Sequence, residues 1–242
     1  MKIQILSDIH TEFGGDVRNF INNDVDITVI AGDLGTSKNI IDELIKIDKY
    51  ATHPVVFVPG NHDYYHSQKC VVDKRINNIK LDNIIVLNND VIKIQDIVFI
   101  GGTGWFQEVS KEALFRMSDF KFIHDIIENN YGIGWNSDCY KFFNKALNEY
   151  SDDKVVCITH NMPSFELIDD KYTKQPFDAL NGCFAMHWDN LIEDYNPDVW
   201  VCGHTHTSFD KKIFNTRIIC NPYRYYMKDT NKNFNPNMVI EL

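Results

Sequence analysis

Five short polar clusters in this chain combine aspartate, asparagine and histidine in patterns suited to metal ligation. They are Asp8-Ile9-His10, Gly32-Asp33, Gly60-Asn61-His62-Asp63, Thr159-His160-Asn161 and Gly203-His204-Thr205-His206. Carboxylate, amide and imidazole donors suit borderline divalent ions such as Mn, Fe, Co, Ni or Zn, whereas a structural zinc knuckle calls for paired thiolates. None of the six cysteines forms a close CxxC pair. Asp8 and His10 are two residues apart, so an extended backbone would aim both side chains at one face. Glycine precedes Asp33, Asn61 and His204, fitting turns in which a Cβ would crowd a closely approached metal or phosphate. Any one cluster reads equally well as a turn aspartate or a surface histidine. Five of them in a chain with nine histidines read as one site.

For the clusters to meet, the chain must bring them to one edge of its scaffold. Lys2 to Ser7, Asp26 to Ala31 and Pro54 to Val58 are short runs rich in Ile and Val, each ending in small or polar residues, which predicts buried strands. Between the second and third, Ser37 to Tyr50 sets Ile40, Ile41, Leu44, Ile45 and Ile47 at helical spacing, with Thr36 or Ser37 placed to cap the helix. This alternation predicts βαβ units. A second helix is expected over His66 to Ile79. Strands follow at Ile84 to Leu87, Val91 to Ile94 and Ile97 to Gly101, the last two joined by a hairpin turn at Gln95-Asp96.

Farther along, a helix from Ser137 to Tyr150 leads into the strand ending at His160. Another, from Trp188 to Tyr195, leads into the strand Val199 to Cys202. Thr216 to Cys220 reads as one more strand, and the stretch after Tyr226 as a loop before an edge strand at Met238 to Leu242. Residues 105–136, rich in aromatics and lacking strand rhythm, are expected to form a partly helical lid within a single domain spanning 1–242. Every polar cluster thus follows a strand, where side chains of a layered α/β fold converge on a crevice.

The composition, 44% hydrophobic and 24% charged, is that of a globular domain, and 242 residues are enough for a core without disulfides. Cys157, Cys202 and Cys220 fall in apolar strand-like runs, so the cysteines read as buried free thiols. A net charge of -10 opposes long-range capture of DNA or RNA, although a local basic patch or bound metals could offset it. Asp8 stands where a secretory signal would still be apolar, and no run approaches a bilayer span. The expected location is the cytoplasm, or the host cytoplasm if the chain is phage-encoded.

Taken in order, the clusters resemble the calcineurin-like metallophosphoesterases, whose pattern is D-x-H, G-D, G-N-H-D or G-N-H-E, a lone H after a strand, and G-H-x-H. The resemblance covers residues 2 to about 221. It implies a two-sheet β-sandwich flanked by helices with a dimetal site at the strand ends. It further implies that Asp8, His10 and His206 bind one metal, that Asn61, His160 and His204 bind the other, and that Asp33 bridges both. His62 would face the phosphate as general acid, and Asp63 beside it would act within the turn or behind the ligands. Two divalent metals, with Mn the expected ion in vitro, can clamp an in-line displacement while a bridging water or hydroxide serves as the nucleophile.

The resemblance also narrows the reaction. Phosphoprotein phosphatases of this superfamily continue G-D-x-x-D-R-G. Here the stretch is Gly32-Asp33-Leu34-Gly35-Thr36-Ser37-Lys38, lacking both the second Asp that partners the catalytic histidine and the adjoining Arg. G-N-H-D is similar to bacterial and phage phosphodiesterase branches, so a phosphodiesterase acting on a nucleotide-like or other small substrate is expected. A phosphomonoesterase is the alternative, followed by a nuclease or an inactive metal-binding scaffold. Trp105 and Phe106, with Trp135, are candidates for a wall on which a base stacks, and Arg116 and Arg224 for a fork on phosphate. Oligomeric state is not legible.

Overall fold

The computed structural model describes residues 1–226 and 229–242. In the first half of the chain, β1 (Lys2–Leu6), β2 (Ile27–Ala31), helix α1 (Ile40–Tyr50) and β3 (Val55–Val58) form the expected βαβ units. Helix α2 (Lys69–Asn78), β4 (Ile84–Val86), β5 (Asp90–Ile94) and β6 (Ile97–Gly102) follow. Two short helices, α3 (Lys111–Arg116) and α4 (Asp119–Phe122), precede the long α5 (Ile133–Glu149). The remaining elements are β7 (Lys154–Thr159), α6 (Asp189–Tyr195), β8 (Val199–Cys202), β9 (Phe209–Ile213), β10 (Thr216–Cys220), β11 (Arg224–Tyr225), β12 (Asp229–Thr230) and β13 (Val239–Glu241).

The strands make two main sheets, ordered β13-β1-β2-β3-β4 and β5-β6-β7-β8-β10-β9. The first is parallel except for the antiparallel edge strand β13. The second is parallel from β6 through β7 and β8 to β10, with antiparallel β5 and β9 at its edges. Alternate side chains explain why the strand runs are apolar without a period of two. Ile3, Ile5, Val29, Val56 and Val58 from one sheet meet Phe99, Val156, Ile158 and Val201 from the other between the sheets. Leu6, Ile30, Val55 and Phe57 point the opposite way, onto α1, α2 and the segment around residues 105–126. Val98, Ile100, Cys157 and Trp200 face α5 and α6. Strands covered on both faces need apolar residues at every position.

Three departures from expectation have local causes. Helix α5 begins at Ile133 rather than Ser137, after the N-cap Gly132, and the Asn129 side chain ties its first turn, Oδ1 accepting from the Trp135 N–H at 2.6 Å. Strand β9 carries no apolar signal because it is an edge strand whose Asp210, Lys211 and Lys212 face solvent, as edge strands do when they resist pairing with other chains. Residues 161–188, for which no special role was expected, form an irregular segment with short 3₁₀ turns at Phe165–Leu167, Asp170–Tyr172 and Asp178–Cys183. Of the stretch after Tyr226 that reads as loop, residues 227 and 228 lie outside the described residues. Among the described residues no helix is long and apolar enough to cross a membrane.

All six cysteines are free; Cys70 is exposed and Cys139, Cys157, Cys183, Cys202 and Cys220 are buried. Burial raises the thiol pKa of Cys139 to about 12, which further suppresses its reactivity. A thiol reagent should therefore titrate one cysteine per folded chain and six after denaturation. Rapid reaction of more than one thiol in the folded protein would contradict this packing.

Candidate metal centre

The loops that follow β1, β2, β3, β7 and β8 meet at one edge of the sandwich and are stitched together by backbone hydrogen bonds. Asp8 and His10 N–H groups donate to the Gly32 and Asp33 carbonyls at 3.0 and 2.9 Å, and Gly203 N–H donates to the His160 carbonyl at 2.9 Å. The D-x-H pair does not converge through an extended backbone as its spacing suggested. Asp8 and His10 both take left-handed conformations (φ 52° and 50°), as do Asp33 (54°), His204 (65°) and His206 (53°). Such conformations cost roughly 1–3 kcal/mol per non-glycine residue and cluster where function demands a geometry. Gly32 has φ 87°, and a Cβ there would fall 2.2 Å from His160 Nδ1; at Gly60 it would fall 2.2 Å from Asp33 Oδ1. These glycines make room for ligand side chains rather than for the metal itself.

Asp33 stands at the centre, almost fully buried. Its Oδ1 accepts from the His62 N–H at 2.8 Å, while Oδ2 has no hydrogen-bond partner among the described residues. Around Oδ2 lie His160 Nε2 at 3.3 Å and His10 Nε2 at 3.6 Å. His160 Nδ1 donates to the Ala31 carbonyl at 2.9 Å, so in the neutral ring the Nε2 lone pair faces Asn61 Oδ1, also at 2.9 Å. Asn61 cannot flip to offer a donor, because its amide nitrogen is held by Asp119 Oδ1 at 2.5 Å. On the other side His10 and His206 bring their Nε2 atoms to 3.1 Å, and Asp8 Oδ1 lies 3.3 Å from His206 Nε2. His204 Nε2 donates to the Cys183 carbonyl at 3.1 Å, leaving Nδ1 with the lone pair.

Acceptors facing acceptors in a buried site are stable only with a cation or a proton between them. Two groups of converging ligands, Asp8 with His10 and His206, and Asp33 with His160 and His204, therefore fit two divalent ions, with Asn61 Oδ1 turned to the second group and Asp33 next to both. Burial disfavours the cation at His160, but Asp33 and Asp8 outweigh it and raise its pKa to about 10. Burial likewise opposes charge at Asp8, yet His206 and His160 lower its pKa to about 2. His204, buried and next to His160, is pushed down to about 3.

Behind the ligands, Asp63 is a buried clamp between two loops. Its Oδ2 accepts from the N–H groups of Asp33 (3.1 Å) and Gly60 (2.8 Å), and its Oδ1 from Gly35 (2.9 Å). Burial and the charge of Asp33 push its pKa up to about 8. Asp63, adjacent to His62 in the sequence, is thus a loop anchor, fully buried behind the ligands. His62 stacks on Tyr65, ring centroids 4.1 Å apart, and its Nδ1 lies 3.0 Å from Glu12 Oε1. Burial lowers its pKa, but Asp33 and Glu12 more than offset this and bring it to about 9.

His62, Asn61, Asp33, His204 and His206 open onto a cavity of about 350 Å³. Arg116 and Arg224 both line it, although Arg116 also donates to Glu112 at 2.8 Å. Trp105 and Phe106 do not: they are 2% and 0% exposed and pack in the core with Ile126 and Tyr64. The expectation of a stacking wall at these residues is corrected, since a buried ring has no face left for a base. The aromatic lining is instead Tyr172, Phe177 and Phe184 of the 161–188 segment, with Tyr65 and Tyr225. Asn161 fixes that segment and the start of the 105–136 stretch to the metal loop, its Oδ1 accepting from Trp105 N–H and its Nδ2 donating to the Cys183 carbonyl. The sequence reading also missed Glu12 and Asp119. A D-x-H-x-E spacing was the available signal for the first; Asp119 has no local signal, because it reaches Asn61 across 58 positions of sequence.

A sequence model of the calcineurin-like phosphoesterases matches residues 1–208. The uncharacterized protein L509 of Acanthamoeba polyphaga mimivirus is 28% identical over 277 aligned positions, covering 99% of this chain and 96% of that protein. Among solved structures, phosphopantetheinyl hydrolase from Mycobacterium tuberculosis superposes with a TM-score of 0.69 at 14% identity, covering 93% of this chain and 89% of its own. The calcineurin-like phosphoesterase YfkN from Bacillus subtilis gives 0.50 at 14% identity, covering 91% and 80%. At these identities the two structures speak for the fold.

The protonation pattern fixes a pH response of the metal-free protein. His62 and His160 titrate above their ordinary value of 6.5, at about 9 and 10, so the stability they contribute is complete below 6.5 and is lost as pH rises through those values. Asp63, raised from 3.8 to about 8, adds a loss of the same sign, whereas the lowered His204 acts only below 6.5. The urea midpoint of chelator-treated protein should therefore fall between pH 6.5 and 9. Stabilisation by added metal should grow over the same window, because binding displaces protons. A flat metal-free profile would refute the buried-proton arrangement.

Proposed function

The chain belongs to the calcineurin-like phosphoesterases and is a metal-dependent phosphoesterase, and on that premise we propose that it hydrolyses phosphodiesters of small, nucleotide-like substrates. The observation that carries the dimetal reading is the buried Asp33 Oδ2, without a hydrogen-bond partner among the described residues, with the Nε2 atoms of His160 and His10 at 3.3 and 3.6 Å. Asp8, His10 and His206 would hold one ion, Asn61, His160 and His204 the other, and Asp33 both. Two divalent ions in such a site, Mn being the expected ion in vitro, neutralise phosphoryl oxygens and bring the pKa of a water towards neutrality.

The chain's own groups do the rest. Asp119 presents the Asn61 oxygen, and the Ala31 carbonyl orients His160. Asp63 holds the loops bearing Asp33 and Asn61 in register. With Nδ1 turned to Glu12, His62 keeps Nε2 for the cavity, and the carboxylate against Nδ1 supports a proton there. Nε2 is placed to give a proton to the departing ester oxygen, a role typically worth about 10²–10⁴ in rate.

A diester is favoured because the cavity wall beside the metal ligands is largely apolar, with Met162, Ile168, Phe177, Leu180 and Phe184 able to take a second organic substituent. Its volume of about 350 Å³ is at the lower end for small-molecule sites. Arg116 and Arg224 in the wall favour the second reading, a phosphomonoester dianion held by guanidinium groups. With Mn present, kcat/KM on bis-p-nitrophenyl phosphate and cyclic nucleotides should exceed that on p-nitrophenyl phosphate and on phosphopeptides. A preference for the monoester would transfer the assignment to the second reading.

Two substitutions test the assigned roles. Asp33→Ala should lose metal from both positions and nearly all turnover, so two tightly retained ions would remove the bridging assignment. His62→Ala should keep both metals and the fold, yet lose about 10²–10⁴ in kcat on an alkyl or nucleotide ester. On a p-nitrophenyl ester, whose leaving group needs little help from a proton, the loss should be smaller.

A further inference from the structure

Glu12 belongs to none of the five clusters, yet it touches two of them. It lies in the 3₁₀ turn Thr11–Phe13 that directly follows His10, and the left-handed His10 bends the chain so that Glu12 faces back towards the site. Its Oε1 is 3.0 Å from His10 Nδ1 and 3.0 Å from His62 Nδ1, a residue 50 positions away. An acceptor at that distance requires a proton on both Nδ1 atoms. Each ring is thereby left with Nε2 towards the centre of the site.

The other neighbours of His62 do not fix this choice. Tyr65 stacks on the ring at 4.1 Å and His10 meets it edge-on at 4.5 Å. A half-turn about the Cβ–Cγ bond keeps the ring in the same plane, so stacking tolerates both orientations, but it replaces Nε2 by a carbon where the ring faces the cavity. Among the described residues, the side-chain hydrogen bond that separates the two orientations is the one to Glu12. Glu12 is itself absent from the residues lining the cavity, so it acts through the histidines.

We propose that Glu12 is a positioning residue for the proton donor: one carboxylate oxygen holds His62 with Nε2 aimed at the leaving oxygen and ties it to the ligand His10. As a water oxygen bonds to phosphorus and the P–O ester bond breaks, the proton passes from His62 Nε2 to the departing oxygen, and the attacking water releases its own proton to solvent. Nδ1–H stays on Glu12 throughout, and water then restores the Nε2 proton. The proposal rests on the reading of His62 as general acid.

The test is a double-mutant cycle on metal-loaded protein with metal content checked, using an alkyl phosphodiester and bis-p-nitrophenyl phosphate. A misplaced catalytic group or a lost outer partner costs about 10–10², so Glu12→Ala should lower kcat on the alkyl ester by that factor and less on the nitrophenyl ester. In the His62→Ala background it should cost nothing further. Glu12→Gln, which keeps an acceptor oxygen, should recover part of the loss. Glu12→Met, of similar size but without an acceptor, replaces the alanine variant should that fail to fold.

Proton NMR of the metal-free protein supplies a readout independent of turnover. The His62 Nδ1–H signal, assigned by its loss in His62→Ala, should vanish or exchange faster in Glu12→Ala. An equal kinetic loss in both backgrounds, or an unchanged His62 signal, overturns the proposal. If His62→Ala itself costs the same on both esters, it is the general-acid reading that fails, and the NMR signal then decides whether Glu12 orients the ring.

Discussion

The structure is organised around one buried carboxylate oxygen, Asp33 Oδ2, which has no hydrogen-bond partner among the described residues and has the Nε2 atoms of His160 and His10 at 3.3 and 3.6 Å. Such a cluster of acceptors is repulsive in a low-dielectric interior unless protons or metal cations lie among them. Much of the surrounding polar network fixes the free nitrogens and oxygens in that repulsive orientation. Ala31 and Cys183 carbonyls take the distal protons of His160 and His204, Glu12 takes that of His10, and Asp119 takes the amide protons of Asn61. A site built this way is prepared for two ions before either arrives.

That preparation is costly to the fold. Five of the seven proposed ligands are left-handed, which amounts to something on the order of 10 kcal/mol in total, comparable to the whole net stability of an ordinary domain. The two-sheet core offsets it. Burying one Val, Ile or Phe side chain contributes about 1.5–3 kcal/mol, and the layer between the sheets includes Ile3, Ile5, Val29, Val56, Phe99, Ile158 and Val201. Strands sheathed on both faces thus do two jobs: they hold strained loops at their ends, and they keep those ends at fixed spacing.

Around this rigid edge the two irregular segments play a different part. Residues 105–136 and 161–188 contribute the aromatic and apolar cavity wall together with Arg116, and Asn161 fastens both to the loop that carries His160. The clustered polar side chains are therefore placed by the loops at the strand ends, and much of the cavity wall by these two segments. The two can vary separately, because only a few side chains, Asp119 foremost, pass from an insertion into the ligand set.

Most strands, the longer helices and the seven proposed ligand positions were legible in the sequence because each rests on short-range chemistry: apolar runs dictated by burial on both faces, and polar clusters set where those runs stop. The sequence could not reveal how the ligands converge, since the D-x-H pair reaches the site through left-handed turns and not through an extended strand. Nor could it separate core from wall among the aromatics. Trp105 and Phe106 share the composition of a stacking platform, but the packing of residues 105–126 against the outer face of the first sheet leaves them no exposed face, while Phe177 and Phe184, in a stretch without periodicity, line the cavity. The D-x-H-x-E spacing marks Glu12 but not its bond to His62, 50 positions away, and Asp119 reaches Asn61 across 58 positions; a hydrogen bond between distant segments leaves no pattern in either one.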